Sequence, residues 1–590
     1  MEKTDGVPLY GEEITKAVLE SRHLQEADGQ YDVIGHLPAL AVPATLQDSL
    51  MARLDRLVAP RGIAQMGATI GRQFSYSLLQ AVAQVDAAAL QQALQQLVEA
   101  ELLYQRGFPP QATYTFKHAL IADVAYQSLL KSTRQQYHQR LAQVLEEHYA
   151  DTVTQQPELL AHHYSEAGLI APAVAYWHKA GQKATERSAY VEATVHLNRG
   201  LELLKGQPDT QHNAQQELSL LIALGVAVQA TRGLAAPEVE QAYTRARELC
   251  NRTDTAQLFP VLIGLHRYYF VRAALQTAHE IGKECLALAQ SVARPEDLVE
   301  AHRALGTTLY FLGDFRLALA HMEQGIALYD HRRHRSLAFR TGQDPGGLCL
   351  SYAAWSLWFL GAPDQALVKV YEASRLAHDM AHPFSLAQAL SFTGMLHQFR
   401  REPQQTQEQA EAIVAQATEQ RFPHWLAFGT ILLGWAQAMQ NSGEAGIVQI
   451  RQGIDAWRAT GAKLPHPCWL AFLAEAYSNV GDAAAGLAVL EEALEAVEQT
   501  DERWYEAELY RLQGELLLQR SADADAAADL CFQRALSIAR SQHARALELR
   551  AATSLGRCWQ ARGKRDAAHR LLAGVYGGFS EGFATHDLQD

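Results

Sequence analysis

A small residue returns along most of this chain: Gly181, Gly225, Gly264, Gly306, Ala354, Gly394, Gly434, Ala474, Gly514 and Gly556, spaced 39 to 48 residues apart. Its companions return with it, as Trp177, Ala193, Leu197 and Gly200 around the first and Leu473, Tyr477, Gly486, Leu490 and Ala493 near the end. Antiparallel helices approach closely only where the facing residues are small, so each return marks a helix crossing. The stretch from Asp297 to Asp330 shows the unit: a helix carrying Leu305-Gly306, a break at Gly313-Asp314, and a second helix carrying Ala318, Met322 and Gly325. One such hairpin cannot bury its apolar face alone, so the pattern dictates a stack of about ten in which each rests on its neighbours.

The unit resembles the tetratricopeptide pattern, in which a Leu-Gly pair precedes an Ala-x3-Phe step; His302 stands where that pattern has Trp and Asp330 where it has Pro. The period near 40 exceeds the usual ~34, which implies longer helices or fuller loops, and HEAT or armadillo hairpins of about 40–47 residues are the structural alternative. The fold class expected is all-α: a right-handed tetratricopeptide-like α-solenoid, preceded by a small helical and winged-helix module with one short β-hairpin. Gly434 should cross near Gly446 and Gly453. Ala354 and Ala474 fill the same slot elsewhere, which predicts that Ala is tolerated at Gly434 and Leu is not. Nearest-neighbour stacking also predicts unfolding in more than one step.

A chain of 590 residues is too long for one compact core, a ceiling that a solenoid does not have. Hydrophobic content of 48% with 20% charged is that of a globular chain. The net charge of −14 argues against bulk binding to nucleic acid or an anionic membrane. Six cysteines sit singly in apolar helical patterns, which reads as buried free thiols in a reducing cytosol rather than metal ligands. The amino terminus has no apolar signal region, and the most apolar window, Trp425 to Met439, is too short for a bilayer span. A soluble cytoplasmic protein without metal or cofactor is expected.

Residues 1–156 do not share the repeat. Lys3 to Glu20 reads as a turn and a helix with Ile14, Val18 and Leu19 on one face, residues 25–43 as a loop, and Thr45 to Leu57 as an amphipathic helix. Helices over Ile63 to Ile70, Ser75 to Val82 and Ala87 to Leu103 follow. Leu102 to Arg106 and Thr113 to Lys117 alternate like two short strands, and Ala119 to Leu130 returns as a helix. Between Ala41 and Ala150, nine basic residues stand against eight acidic ones, far from the footprint that phosphate binding needs.

Several segments carry a more specific likeness. KTDGVPLYGEEITKAVLES from Lys3, LPALAVPATLQDSLMARLDRL from Leu37, GATIGRQFSYSLL from Gly67 and YTFKHALIADVAYQSLL from Tyr114 are one group; QPELLAHHYSEAG from Gln156, GQDPG from Gly342 and LELRAATSLGRCWQ from Leu547 follow. Together they resemble the rear part of bacterial proteins that join a class III adenylate or guanylate cyclase domain, a signal-transduction ATPase of the AAA/STAND type and a tetratricopeptide array. The resemblance implies a division into a remnant of the ATPase lid (1–40), a helical and winged-helix module (41–156), a repeat array (157–577) and a tail (578–590). It also implies that the chain begins inside a domain. Gly11 departs from the bulkier residue expected in the first helix.

The nucleotide chemistry of that family is not legible here. There is no GxxxxGK[ST]: Gly282-Lys283 is followed by Glu284 and Gly563-Lys564 by Arg565. In related ATPases a winged-helix His approaches the nucleotide phosphates, which gives His118 that role only beside an ATPase core; otherwise His118 starts a helix and packs on the wing. Arg332, Arg333, Arg335 and Arg340, in a longer inter-repeat segment from His331 to Gly347, are either an anion or acidic-partner contact or a solvated loop paired with carboxylates. Trp355, Trp358, Trp425 and Trp435 lie on first helices that line the concave face, as core and as candidate anchors for a partner. The function expected is a non-catalytic sensing scaffold that binds a protein or small effector and regulates an attached ATPase or cyclase module. The alternatives are a fragment of a cyclase enzyme or a LuxR-like regulator, though no helix-turn-helix follows the last repeat.

Overall fold

The computed structural model describes residues 24–27, 30–33, 46–57, 60–252, 255–440, 443–521 and 524–590. The chain divides into two compact units, residues 1–180 and 181–590, with the division inside the helix Ile170–Glu186. The helix expected over Lys3 to Glu20, with Gly11, lies outside the described residues.

In the first unit, β1 (Leu24–Ala27) and β2 (Gln30–Val33) pair antiparallel where a loop was expected. Two residues separate them, the spacing of a tight hairpin. Helices Leu46–Arg56, Pro60–Ile70, Tyr76–Ala83 and Ala87–Glu99 precede β4 (Leu103–Arg106) and β5 (Thr113–Phe116), and the helix Ala119–Gln127 follows. A third strand, β3 (Gln73–Ser75), pairs with β5 to give the order β3-β5-β4. Three residues are too short a run for alternation to show. Phe74 supplies the reason for β3: it is buried against Tyr114 and Phe116, with ring centroids at 6.0 and 5.8 Å. Ser75, expected within the next helix, caps it instead by accepting a hydrogen bond from the Leu78 amide. Of His162-His163, His162 is exposed, while His163 is buried and shares a 2.9 Å hydrogen bond with His138. Burial holds both His138 and His163 neutral, at about 4 and about 3.

Ten helical hairpins run from Ile170 to Tyr576, and every small-residue anchor lies in the first helix of its pair. A Cβ at Gly181 would strike Leu197, at Gly306 Met322, and at Gly514 Phe532, each on the second helix of the same hairpin. Gly434 is tighter still. Its Cβ would lie 2.7 Å from the Ile450 amide nitrogen and 2.9 Å from the Gly446 carbonyl oxygen, so backbone faces backbone and even a methyl group has no room. The expectation that Gly434 tolerates Ala is corrected accordingly.

Two further segments differ from the sequence reading. The basic stretch is a helix, His331–Thr341, not a protruding loop. Asp330 caps it by accepting from the Arg332 and Arg333 amides, Gly342 ends it at φ +78°, and Leu337 and Ala338 are buried on its inner face. Residues 578–590 are not a free tail but return to the array. Glu581 accepts from the Asp364 and Gln365 amides at a helix start, and Asp587 accepts from Arg550 at 2.8 Å.

Within residues 181–590 the array closes on itself. The last carbonyls of a helix have no intrahelical partner. Here the Val271 carbonyl accepts from the Lys463 and Leu464 amides at 2.9 and 3.1 Å, the Phe311 carbonyl from the Arg503 and Trp504 amides, and the Phe399 carbonyl from Arg550. Tyr190 of the first hairpin reaches His382 at the start of the sixth, and Trp358 of the fifth stacks under the Arg550 guanidinium of the tenth. Hairpins five apart therefore touch, and the concave face is filled by aromatics, with Tyr310 and Trp504 rings at 5.3 Å.

Candidate functional site

Among these aromatics, the repeat unit holds a cavity of about 80 Å³. First helices of successive hairpins contribute Arg267, Arg303, Tyr352, Gln388 and Trp425, and Trp457 comes from the second helix of its hairpin. Leu464 and Pro465 line it from the segment that bonds to Val271. The cavity thus lies where one turn of the array meets the next.

Charge is buried at its edge. Arg267 donates to Glu300 Oε1 at 2.8 Å and Arg303 donates through Nε to Oε2 at 2.6 Å, with all three side chains no more than 4% exposed. Burial pulls the Arg267 guanidinium below its ordinary pKa, opposed by Glu300. One carboxylate is shared by two guanidiniums, and Arg303 Nη2 is buried without a hydrogen-bond partner. Trp425 and Trp457 keep buried indole N–H groups that are also unpartnered, as is His424 Nδ1. Burial holds His424 down to about 3, so its ring is neutral. Asp344, a carboxylate that interacts with Glu300, is already engaged: Tyr329 Oη donates to it at 2.8 Å and the Gly347 amide at 2.6 Å.

The candidate residues fall into distinct places. Trp355 and Trp425 line the cavity. Trp355 is satisfied by the Phe392 carbonyl at 3.1 Å and Trp435 by Glu475 at 2.7 Å, while Trp358 packs between Phe399 and Arg550. All four are at most 4% exposed, so they are embedded rather than displayed. Arg332, Arg333 and Arg335 lie on the exposed face of the helix His331–Thr341. Arg335 donates to the Met380 carbonyl, and Arg333 is 3.8 Å from Asp330. The Arg340 side chain lies outside the described residues. His118, half-buried, stands at the N-cap of the helix Ala119–Gln127 without a side-chain cap bond. Of the six described cysteines, five are buried and Cys531 is half-buried. Among the described residues no cluster of His, Cys, Asp and Glu is arranged to hold a metal, and no helix is long and apolar enough to cross a membrane.

Arg267, Glu300, Arg303, His424 and Trp457 were not singled out from the sequence. A signal existed: Glu300, Arg303 and Gly306 form Glu-x-x-Arg-x-x-Gly, and Glu508, Arg511 and Gly514 repeat it. The Arg three residues before the anchor lies near its face of the helix, and the Glu three residues further back is that Arg's neighbour, so the spacing marks an ion pair beside the helix crossing.

No family model matches this chain. An uncharacterized protein of Rhizobium meliloti is 28% identical over 563 residues, covering 93% of this chain and 53% of its own length. The chain therefore spans about half the length of the curated relative it matches. Among solved structures, a Rap protein complexed with Competence and Sporulation Factor aligns with TM-score 0.47 and 12% identity over 62% of this chain and 98% of its own. A STAND protein with a tetratricopeptide repeat sensor from Pyrococcus horikoshii aligns over 98% of this chain and 68% of its own, with TM-score 0.28 and 10% identity. Aspartyl phosphate phosphatase F from Bacillus subtilis aligns over 70% and 96%, with TM-score 0.34 and 10% identity.

Proposed function

We propose that this chain is the sensing part of a larger signalling protein, in which the repeat unit takes a small effector into its interior and sets the state of an attached ATPase or nucleotidyl cyclase module. The chain itself is not the catalyst. One observation carries the reading: the cavity is walled by successive hairpins and met by the Leu464–Pro465 segment of the following turn, so a guest there contacts both turns at once. A ligand shifts a conformational balance only through contacts that differ between its states, and contacts between turns are of that kind. The aromatic filling favours a small molecule over a protein partner, because the concave face is occupied by Tyr310, Trp469 and Trp504.

The order of helices and strands from Pro60 to Gln127, with β3 joining the β4–β5 pair, supports reading the first unit as a winged-helix lid. In that setting His118 is the nucleotide-facing residue only when an ATPase core is present. The balance of basic and acidic residues from Ala41 to Ala150 speaks against a DNA-binding role.

Native mass spectrometry and tryptophan fluorescence against a panel of small acids, amines, sugars and amphipathic peptides test this. The expected result is saturable binding of a small molecule that is weakened by Trp425→Phe. Binding confined to peptides and indifferent to Trp425→Phe would refute it.

A further inference from the structure

We infer that the interior cavity is built for a compact organic anion, a carboxylate carried on an apolar or aromatic body. This deepens the sensor reading and rests on it. A buried polar group without a partner is costly, and natural interiors leave few of them. Four such groups belong to residues that line this cavity, and three of the four are fixed donors: Arg303 Nη2, Trp425 Nε1 and Trp457 Nε1. A guanidinium and an indole have no acceptor to offer. The fourth, His424 Nδ1, belongs to a neutral ring and can serve either way.

Charge points the same way. Arg267 and Arg303 share Glu300, which accepts from both. Asp344, a carboxylate that interacts with Glu300, accepts from Tyr329 and from the Gly347 amide at the start of its own helix. Arg303 Nη2 is left without a hydrogen-bond partner in the protein. A carboxylate accepts at two oxygens and suits a guanidinium fork, whereas an amine or a metal cation would offer nothing to the unpartnered Arg303 and indole N–H donors. Phe270, Phe311, Phe392 and Phe428 add apolar wall for the body of such a guest, with Thr307, Gln388 and Tyr352 among them. Bulk phosphate suits the cavity less, because its remaining oxygens would face those rings.

The full chain is titrated with acetate, isobutyrate and benzoate, with benzamide as the neutral isostere of benzoate and with inorganic phosphate, by calorimetry and thermal shift at neutral pH. Benzoate should bind at least roughly ten-fold more tightly than benzamide, the ratio expected when a hydrogen bond gains a charge. Arg303→Met should abolish that preference, and Trp457→Phe, which leaves an aromatic ring but removes the N–H, should weaken benzoate several-fold. Arg332→Gln, on the exposed helix face, should change nothing. Should Arg303→Met fail to fold, the loss in Trp457→Phe and in Trp425→Phe carries the test. If benzamide equals benzoate and Trp457→Phe weakens both, the cavity binds a guest but the anion class is wrong and the sensor reading survives. If no member of the series or of the wider panel binds, both fall.

Discussion

The Tyr190 hydroxyl and His382 Nε2 share a hydrogen bond at 3.2 Å across 192 positions of sequence. Burial keeps the imidazole neutral, at about 4, and Ser385 engages its other nitrogen. The bond ties the first hairpin to the sixth, one turn of the array to the next.

Tyr190→Phe removes this bond and should cost about 1–3 kcal/mol, since a buried ring nitrogen loses its partner. Turn-to-turn contacts also alter the expected unfolding. A stack bound only to nearest neighbours frays from its ends, but here hairpins five apart hold one another. Single-tryptophan variants retaining Trp355 or Trp504 should report coincident denaturant midpoints, and midpoints well apart would show that the turns unfold independently.

Gly434→Ala should destabilise the chain by about 1–3 kcal/mol, as overpacking does, with Gly434→Leu worse. Gly574→Ala, in the helix Arg565–Tyr576 where a Cβ meets nothing within 4 Å, should be neutral or stabilising by up to about 1 kcal/mol. Thermal unfolding of the three variants separates helix propensity from helix contact.

Glu508 is 3% exposed and accepts from Arg511 at 2.8 and 2.9 Å and from Arg550 at 3.4 Å. Burial alone would raise its carboxyl, but the two guanidiniums outweigh that and hold it at about 2. An unfolded glutamate titrates near 4.5, so between these values the unfolded chain binds the proton and the folded chain does not. The stability this carboxylate contributes is complete above about pH 4.5 and drains as pH falls towards about 2. Glu508→Gln should cost about 3–5 kcal/mol at neutral pH. Urea midpoints for the two proteins should converge on acidification, and a constant gap would remove Glu508 as the cause.

The chain alone should show neither ATP turnover nor saturable binding of magnesium-ATP at micromolar concentration. Gly282-Lys283 lies inside the helix Leu275–Val292, where backbone amides are committed to the helix and Lys283 pairs with Glu280 at 2.6 Å. Calorimetry with Mg-ATP checks this.

The repeat was legible because its cause is local. Gly306 must face Met322 wherever the hairpin sits, so the constraint recurs with its companions and can be read off the spacing. The caps at Ser75 and Asp330 are equally local, although Asp330 shows its meaning only once Leu337 and Ala338 have an inner surface to bury against. What the sequence could not decide is how far the stack turns per hairpin. That rotation accumulates from small differences at every crossing, and it alone places Tyr190 on His382, Trp504 under Phe311, and Pro465 and Arg267 on one cavity. The concave tryptophans were visible as aromatic mass on first helices. Whether they would face solvent or one another depended on the closing of the turns, and closure left Trp425 beside a cavity and sealed Trp358 beneath Arg550.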